Sequence, residues 1–156
     1  MTNSKVLFDS SIESAEEMVE LGKSLAGVLS AGDLVLLIGP LGAGKTTLTR
    51  GVGLGLSVSG TVSSPTFVIA RTHKRENSDV PLVHVDAYRL GTPAELDDLD
   101  IPFSKAIVLV EWGKGLTEGI AENWLEININ RDTTGETETR TVEITGFGPR
   151  WQEVSL

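Results

Sequence analysis

Leu34-Val-Leu-Leu-Ile38, followed at once by Gly39-Pro-Leu41-Gly42-Ala43-Gly44-Lys45-Thr46-Thr47, decides the fold. The first five residues have no polar alternation, the pattern of a strand buried on both faces. The next eight match G-x-x-x-x-G-K-[ST] at every fixed position. Glycines 39, 42 and 44 permit backbone angles that side chains would block, so successive N–H groups can wrap an anionic phosphate. A helix opening near Lys45 adds its positive dipole end. In such a loop Lys45 reaches the β- and γ-phosphates, and the Thr46 hydroxyl ligates Mg²⁺. Gly39, Leu41, Gly42, Ala43, Gly44, Lys45, Thr46 and Thr47 are therefore the candidate ATP-binding residues. The bland alternative is a chance glycine turn, but an apolar strand before it and a helix after it are the context the motif requires.

Working outward, residues 5–8 predict a short strand, and Ser10 with Glu13 predicts a capping box. Apolar residues at Ile12, Ala15, Val19, Ala26 and Leu29 then predict an amphipathic helix to about Ser30, stopped by Gly32. The buried strand covers residues 33–38. The second helix runs from Lys45 to about Gly53, with glycines 51, 53 and 55 ending it. Residues 57–65 predict an exposed loop. Residues 67–72 and 81–86 predict strands around a polar turn at 74–79. Thr92 with Pro93 predicts the start of a short helix. Residues 106–111 form another buried strand, and 124–130 with 139–145 alternate as an antiparallel hairpin around 133–138. Residues 146–156 are assigned no element. The whole, residues 1–156, reads as one α/β layered domain whose mixed sheet is parallel at its middle and antiparallel at its edges.

Composition narrows the function classes. A chain of 156 residues buries roughly 70% of its unfolded surface, a core large enough to need no staples. It has no cysteine, which excludes disulfides and thiolate metal sites. The N-terminus lacks the basic head and apolar run of a signal peptide, and no apolar run approaches a membrane span. The expectation is a cytoplasmic protein. With 13 Lys+Arg against 22 Asp+Glu, the net charge is −9, so unaided binding of nucleic acid is not expected.

A phosphate loop of this type needs an acid at the end of a neighbouring buried strand, to hold Mg²⁺ or water. Asp86, at the end of Val83-His-Val-Asp86, and Glu111, at the end of Ile107-Val-Leu-Val-Glu111, both qualify. Pattern alone does not divide the roles between them, and a turn residue or a solvated strand end is the plain alternative for each. His84, Asp86 and Tyr88 share a face at period two if the strand runs that far. Trp112 follows Glu111 and offers a flat ring to a base. Thr66, within Ser63-Ser-Pro-Thr66-Phe, lies where nucleotide switches often sense the γ-phosphate. His73 and His84 read as structural or solvated.

In this order and spacing, four blocks resemble the bacterial tRNA threonylcarbamoyladenosine biosynthesis ATPase family, the TsaE type. They are Gly39-Pro-Leu-Gly-Ala-Gly-Lys-Thr-Thr47 with Arg50, Val62-Ser-Ser-Pro-Thr-Phe67, His84-Val-Asp-Ala-Tyr-Arg-Leu90 and Val110-Glu-Trp112. The polar insert at 72–79 and Gly113 after Trp112 depart from the family's pattern. The resemblance implies an accessory Mg²⁺-dependent ATPase for modifying adenosine next to the tRNA anticodon. Its partners would be the threonylcarbamoyl transferase subunit and that subunit's inactive paralogue, with tRNA held only through their complex. It also implies that Lys45 and Thr46 serve phosphate and Mg²⁺, Glu111 is the metal-side acid, and Asp86 positions water. Thr66 would belong to a mobile loop, and Trp112 would be the aromatic beside the site. Two rivals share the motif, a small-molecule kinase and a nucleotide-gated binding module with negligible hydrolysis. A GTPase is disfavoured because no Asn-Lys-x-Asp segment occurs.

Overall fold

The computed structural model describes residues 3–40, 42–60, 69–115, 117, 119–131 and 139–156. Its strands are β1 (Ser4–Ile12), β2 (Leu34–Ile38), β3 (Ala70–His73), β4 (Leu82–Asp86), β5 (Ile107–Glu111), β6 (Trp124–Arg131) and β7 (Arg140–Phe147). They form one sheet in the order β1-β7-β6-β2-β5-β4-β3. The four central strands, β6, β2, β5 and β4, are mutually parallel, whereas β3, β7 and β1 pair antiparallel at the edges. The α/β architecture with a parallel centre and antiparallel edges is as the sequence predicts.

Alternation along each central strand sends side chains to two cores. Val35, Leu37, Ile107 and Leu109 join the core covered by helices α1 (Ala15–Ala26) and α2 (Lys45–Gly55). Leu34, Leu36, Val108 and Val110 join the opposite core, which the short helix α3 (Pro93–Asp97) closes through Leu96. The loop ending β2 is thus delivered to the α1/α2 face, beside the C-terminal ends of β5 and β4.

Several local expectations move. The strand expected at residues 5–8 runs on to Ile12, because β1 keeps its ladder with β7 through Ser10↔Val142 and Ile12↔Arg140. Ser10 therefore cannot cap a helix, and the same pattern is used four residues later. Ser14 caps α1 by accepting from the Glu17 amide at 3.2 Å, and the Glu17 carboxylate accepts from the Glu13 amide at 2.8 Å. The helix then stops at Gly27 rather than near Gly32. Gly51 and Gly53 lie inside α2, and the helix ends at Gly55. A Cβ on Gly51 would fall 2.3 Å from the Val19 carbonyl oxygen, and one on Gly22 2.4 Å from the Leu48 carbonyl oxygen. These glycines let α1 and α2 touch backbone to backbone, which offsets their low helix propensity. Of the strand expected at 67–72, residues 67 and 68 lie outside the described residues, and β3 begins at Ala70.

The tail is an ordered part of the fold. A 3-10 turn, Pro149–Trp151, buries the Trp151 ring completely, and Gly146 makes room, since a Cβ there would sit 2.4 Å from that of Trp151. Arg150 grips Asp33 with two bonds, Nε to Oδ1 at 2.6 Å and Nη2 to Oδ2 at 2.7 Å. That bidentate bond raises the Arg150 pKa above its ordinary value. A cavity of about 900 Å³ lies against Arg150 and Asp33, at the end of β2 remote from the glycine-rich loop.

Candidate phosphate-binding site

The loop between β2 and α2 is shaped by three glycines with distinct tasks. Gly39 passes so close to β6 that a Cβ would meet the Ile129 carbonyl oxygen at 2.5 Å. Gly42 (φ 76°) and Gly44 (φ 110°) take left-handed backbone angles that an L side chain would strain. The Ala43 amide donates to the Pro40 carbonyl at 3.1 Å, tightening the turn. From outside, Arg140 on β7 reaches the Ala43 carbonyl at 3.2 Å and the Gly42 carbonyl at 3.4 Å. In a trans peptide the C=O and N–H point opposite ways, so holding the Ala43 carbonyl turns the Gly44 amide away from Arg140.

Helix α2 then begins with no side-chain cap and no acid in its first turn. Its first intrahelical bond runs from the Leu48 amide to the Gly44 carbonyl at 2.9 Å. The amides of Lys45, Thr46 and Thr47 precede that bond and have no helical acceptor. Together with the dipole end of the helix, they make a concave set of donors suited to an anion. A second cavity, about 220 Å³, adjoins this loop and is bounded by Ser14, Met18, Gly44, Thr47 and Arg140.

Lys45 lies nearly buried against this loop. Its Nζ donates to the Gly39 carbonyl at 2.7 Å and lies 3.8 Å from the centroid of the Trp112 ring. Burial lowers its pKa, while the negative charges of Glu111 and Asp86 act in the opposite sense. The Trp112 ring thus carries an ammonium on one face, a cation–π contact. Trp112 itself has φ 61°, and its ring meets the exposed Tyr88 edge-on at 5.4 Å.

The two acids stand side by side. Asp86 and Glu111 are register partners at the ends of parallel β4 and β5, on the face that α2 covers. Asp86 Oδ1 accepts from the Tyr88 amide at 3.0 Å, so this side chain also shapes the turn after β4. Glu111 is not a solvated strand end. It is 5% exposed, and its Oε2 is 2.7 Å from Nε2 of the fully buried His84. His84 and His73 are both buried, so the solvated alternative fails for each; burial, reinforced by the neighbouring His84, lowers the His73 pKa.

The structure thus brings Lys45, Asp86, Glu111, Trp112 and Gly39 together, with Gly42, Ala43, Gly44, Thr46 and Thr47 on the adjoining loop and helix start. Leu41 and Thr66 lie outside the described residues. Two residues escaped the sequence reading. His84 was visible two positions before Asp86 on the same face, but not its carboxylate partner on another strand. Arg140 sits at the start of a hairpin strand with no local motif, and only the sheet pairing carries it to the loop.

Comparison with known proteins decides the family. The family described as threonylcarbamoyl adenosine biosynthesis protein TsaE matches residues 12–142. The chain belongs to the TsaE family. It is 55% identical to the TsaE of Streptomyces coelicolor over 139 residues, covering 86% of this chain and 93% of that one. It is 36% identical to the TsaE of Bacillus subtilis over 138 residues, covering 88% and 84%. The crystal structure of Bacillus subtilis YdiB superposes with a TM-score of 0.74 at 28% identity, covering 97% of this chain and 91% of that one. Among the described residues no helix is long and apolar enough to cross a membrane. Nor do three or more His, Asp or Glu side chains among them cluster as a ready metal cage.

Proposed function

We propose that this TsaE-family chain is an accessory Mg²⁺-dependent ATPase in the threonylcarbamoyladenosine modification of tRNA, acting as one cytoplasmic domain on the transferase complex. The observation that carries the reading is the uncapped start of α2. Three helix amides without acceptors, a left-handed Gly44 and a nearly buried Lys45 face two strand-end carboxylates.

The residues present suit a nucleotide triphosphate and Mg²⁺. The amides of Gly44, Lys45, Thr46 and Thr47 hold phosphate oxygens, and Lys45 exchanges the Gly39 carbonyl for the β- and γ-phosphates. Hard oxygen donors suit Mg²⁺, which keeps waters and takes few protein ligands, so it needs no carboxylate cage, and none occurs among the described residues. Thr46 and Glu111 would hold the ion, which when bound neutralises charge on the transferring phosphoryl group. Asp86, next to Glu111, positions the attacking water. Trp112 is the aromatic neighbour of the nucleotide, and Thr66, outside the described residues, is assigned the role of γ-phosphate sensor from the sequence alone.

A net charge of −9 disfavours unaided binding of tRNA by this chain. The family resemblance implies the partners, the threonylcarbamoyl transferase subunit and its inactive paralogue, and tRNA would be reached through them. The test is ATP hydrolysis with Mg²⁺, measured for the chain alone and with that pair. A clear rise with the pair is expected, since groups supplied in trans add several orders of magnitude in related chemistry. Tight ATP binding with no rise would favour a nucleotide-gated binder. Phosphoryl transfer to a metabolite without the pair would favour a kinase.

A further inference from the structure

We propose that His84 is a positioning residue for Glu111, holding one carboxylate oxygen so that the other is presented to Mg²⁺ and the phosphates; this rests on the ATPase reading above. His84 precedes Asp86 by two positions on β4, and the side chains of His84, Asp86 and Glu111 all lie on the sheet face that α2 covers. His84 Nε2 is 2.7 Å from Glu111 Oε2, with the two side chains 0% and 6% exposed. An ionised carboxylate only accepts, so the ring donates through Nε2–H.

Three features mark this contact as more than packing. The other ring nitrogen, Nδ1, is buried and has no hydrogen-bond partner among the described residues, so Glu111 is the ring's one polar task. Oε1 of Glu111 makes no hydrogen bond among the described residues, so one oxygen is fixed and the other left available. Finally, Glu111 is the register partner of Leu37, two residues before Gly39, which puts this carboxylate beside the phosphate loop. A free carboxylate at a strand end would rotate about its side-chain torsions. The bond from His84 removes that freedom before any ligand arrives, as outer hydrogen-bond partners do for metal ligands generally.

The experiment uses the full chain with the transferase pair and three variants. His84→Gln keeps an N–H donor at the reach of Nε2; His84→Asn has a donor too short to reach Oε2; His84→Leu has none. Two quantities are read, the kcat and KM for ATP hydrolysis, and the ratio of ATP dissociation constants with Mg²⁺ and with EDTA by calorimetry. For Leu and Asn the expected result is a roughly 10- to 100-fold loss of kcat and a smaller Mg²⁺ enhancement of ATP binding. Their affinity in EDTA stays near wild type, and Gln restores most of both quantities. If Leu does not fold, the Gln and Asn pair gives the same contrast. Equal losses in Gln and Asn, or wild-type kcat and Mg²⁺ enhancement in Asn, would overturn the proposal while leaving the ATPase reading intact. A wild-type chain that neither hydrolyses ATP nor binds it more tightly with Mg²⁺ overturns the ATPase reading, and the positioning role with it.

Discussion

Helices α1 and α2 lie against each other, yet their N-termini are finished in opposite ways. α1 is closed: the Ser14 hydroxyl accepts from the Glu17 amide, and Glu16 and Glu17 set negative charge against the dipole. α3 is closed in the same manner by Thr92, which accepts from the Glu95 amide. α2 is left open, with glycine at the cap position, no acid in the first turn and a lysine as its first residue. Each choice at α2 forgoes stability that the other two helices take. Glycine at the cap costs about a few tenths of a kcal/mol against Ser or Thr, and a cation in the first turn opposes the dipole. The difference teaches that α2 is completed by something outside its own sequence, and an anion is the species its amides and Lys45 are arranged to meet.

The largest expected effect comes from breaking the open end. On the proposed reading, Lys45→Ala removes the charge that would meet the phosphates, and a charged hydrogen bond is worth about 1.5–3 kcal/mol. ATP affinity should fall about 10- to 100-fold in a calorimetric titration, with the far-UV circular dichroism unchanged. Unaltered affinity would remove the case for α2 as a phosphate site. Next comes the seam joining the two helices. Gly51→Ala pushes a Cβ against the Val19 carbonyl, a backbone atom that cannot turn aside. Overpacking of this kind costs about 1–3 kcal/mol, seen as a lower thermal midpoint. A midpoint equal to wild type would mean that α1 and α2 slide apart freely.

How far these features were legible depends on the range of the interaction that creates them. The strand, loop and helix from Leu34 to Gly55 were readable because every cue is local: an apolar run, fixed glycines, then Lys45 and Thr46. Asp86 and Glu111 were readable as strand-end acids for the same reason. The cap of α1 was misplaced because two candidate pairs, Ser10 with Glu13 and Ser14 with Glu17, look alike locally. The choice between them is made by β7, whose pairing holds Ser10 and Ile12 in the sheet. Gly51 and Gly53 read as part of the stop that falls at Gly55, since nothing local announces that α1 will press against them. The same limit hid the His84–Glu111 contact, the grip of Arg140 on the loop, and Trp151, whose socket is made by Gly146 and the core beyond it.

A smaller effect sharpens the comparison from the closed side. Ser14→Ala removes the hydroxyl that accepts from Glu17, which should lower unfolding stability by about 1 kcal/mol. ATP affinity in the same variant should fall far less than in Lys45→Ala, because the hydroxyl caps α1 and only borders the cavity beside the phosphate loop. A matching loss of affinity would show that the two helix ends act as one site.

The smallest effect is a pH dependence that only the open end should show. Burial lowers the Lys45 pKa below its unfolded value of 10.5, so in the interval between the two the unfolded chain binds more protons than the folded one. Stability then gains from Lys45 as pH rises through that interval. Below the folded pKa the full penalty of burying the charge is present, and above 10.5 it is gone. Lys45→Met has no such proton to lose. The stability of wild type relative to Lys45→Met, followed by urea unfolding from neutral to alkaline pH, should therefore rise with pH. A bound polyphosphate should oppose the trend, since it favours the charged ammonium and draws the pKa back up. A flat difference without ligand would mean that Asp86, Glu111 and Trp112 already compensate the buried charge. In that case the open end of α2 would be set by its amides alone, with Lys45 held ready by its neighbours at no cost to the fold.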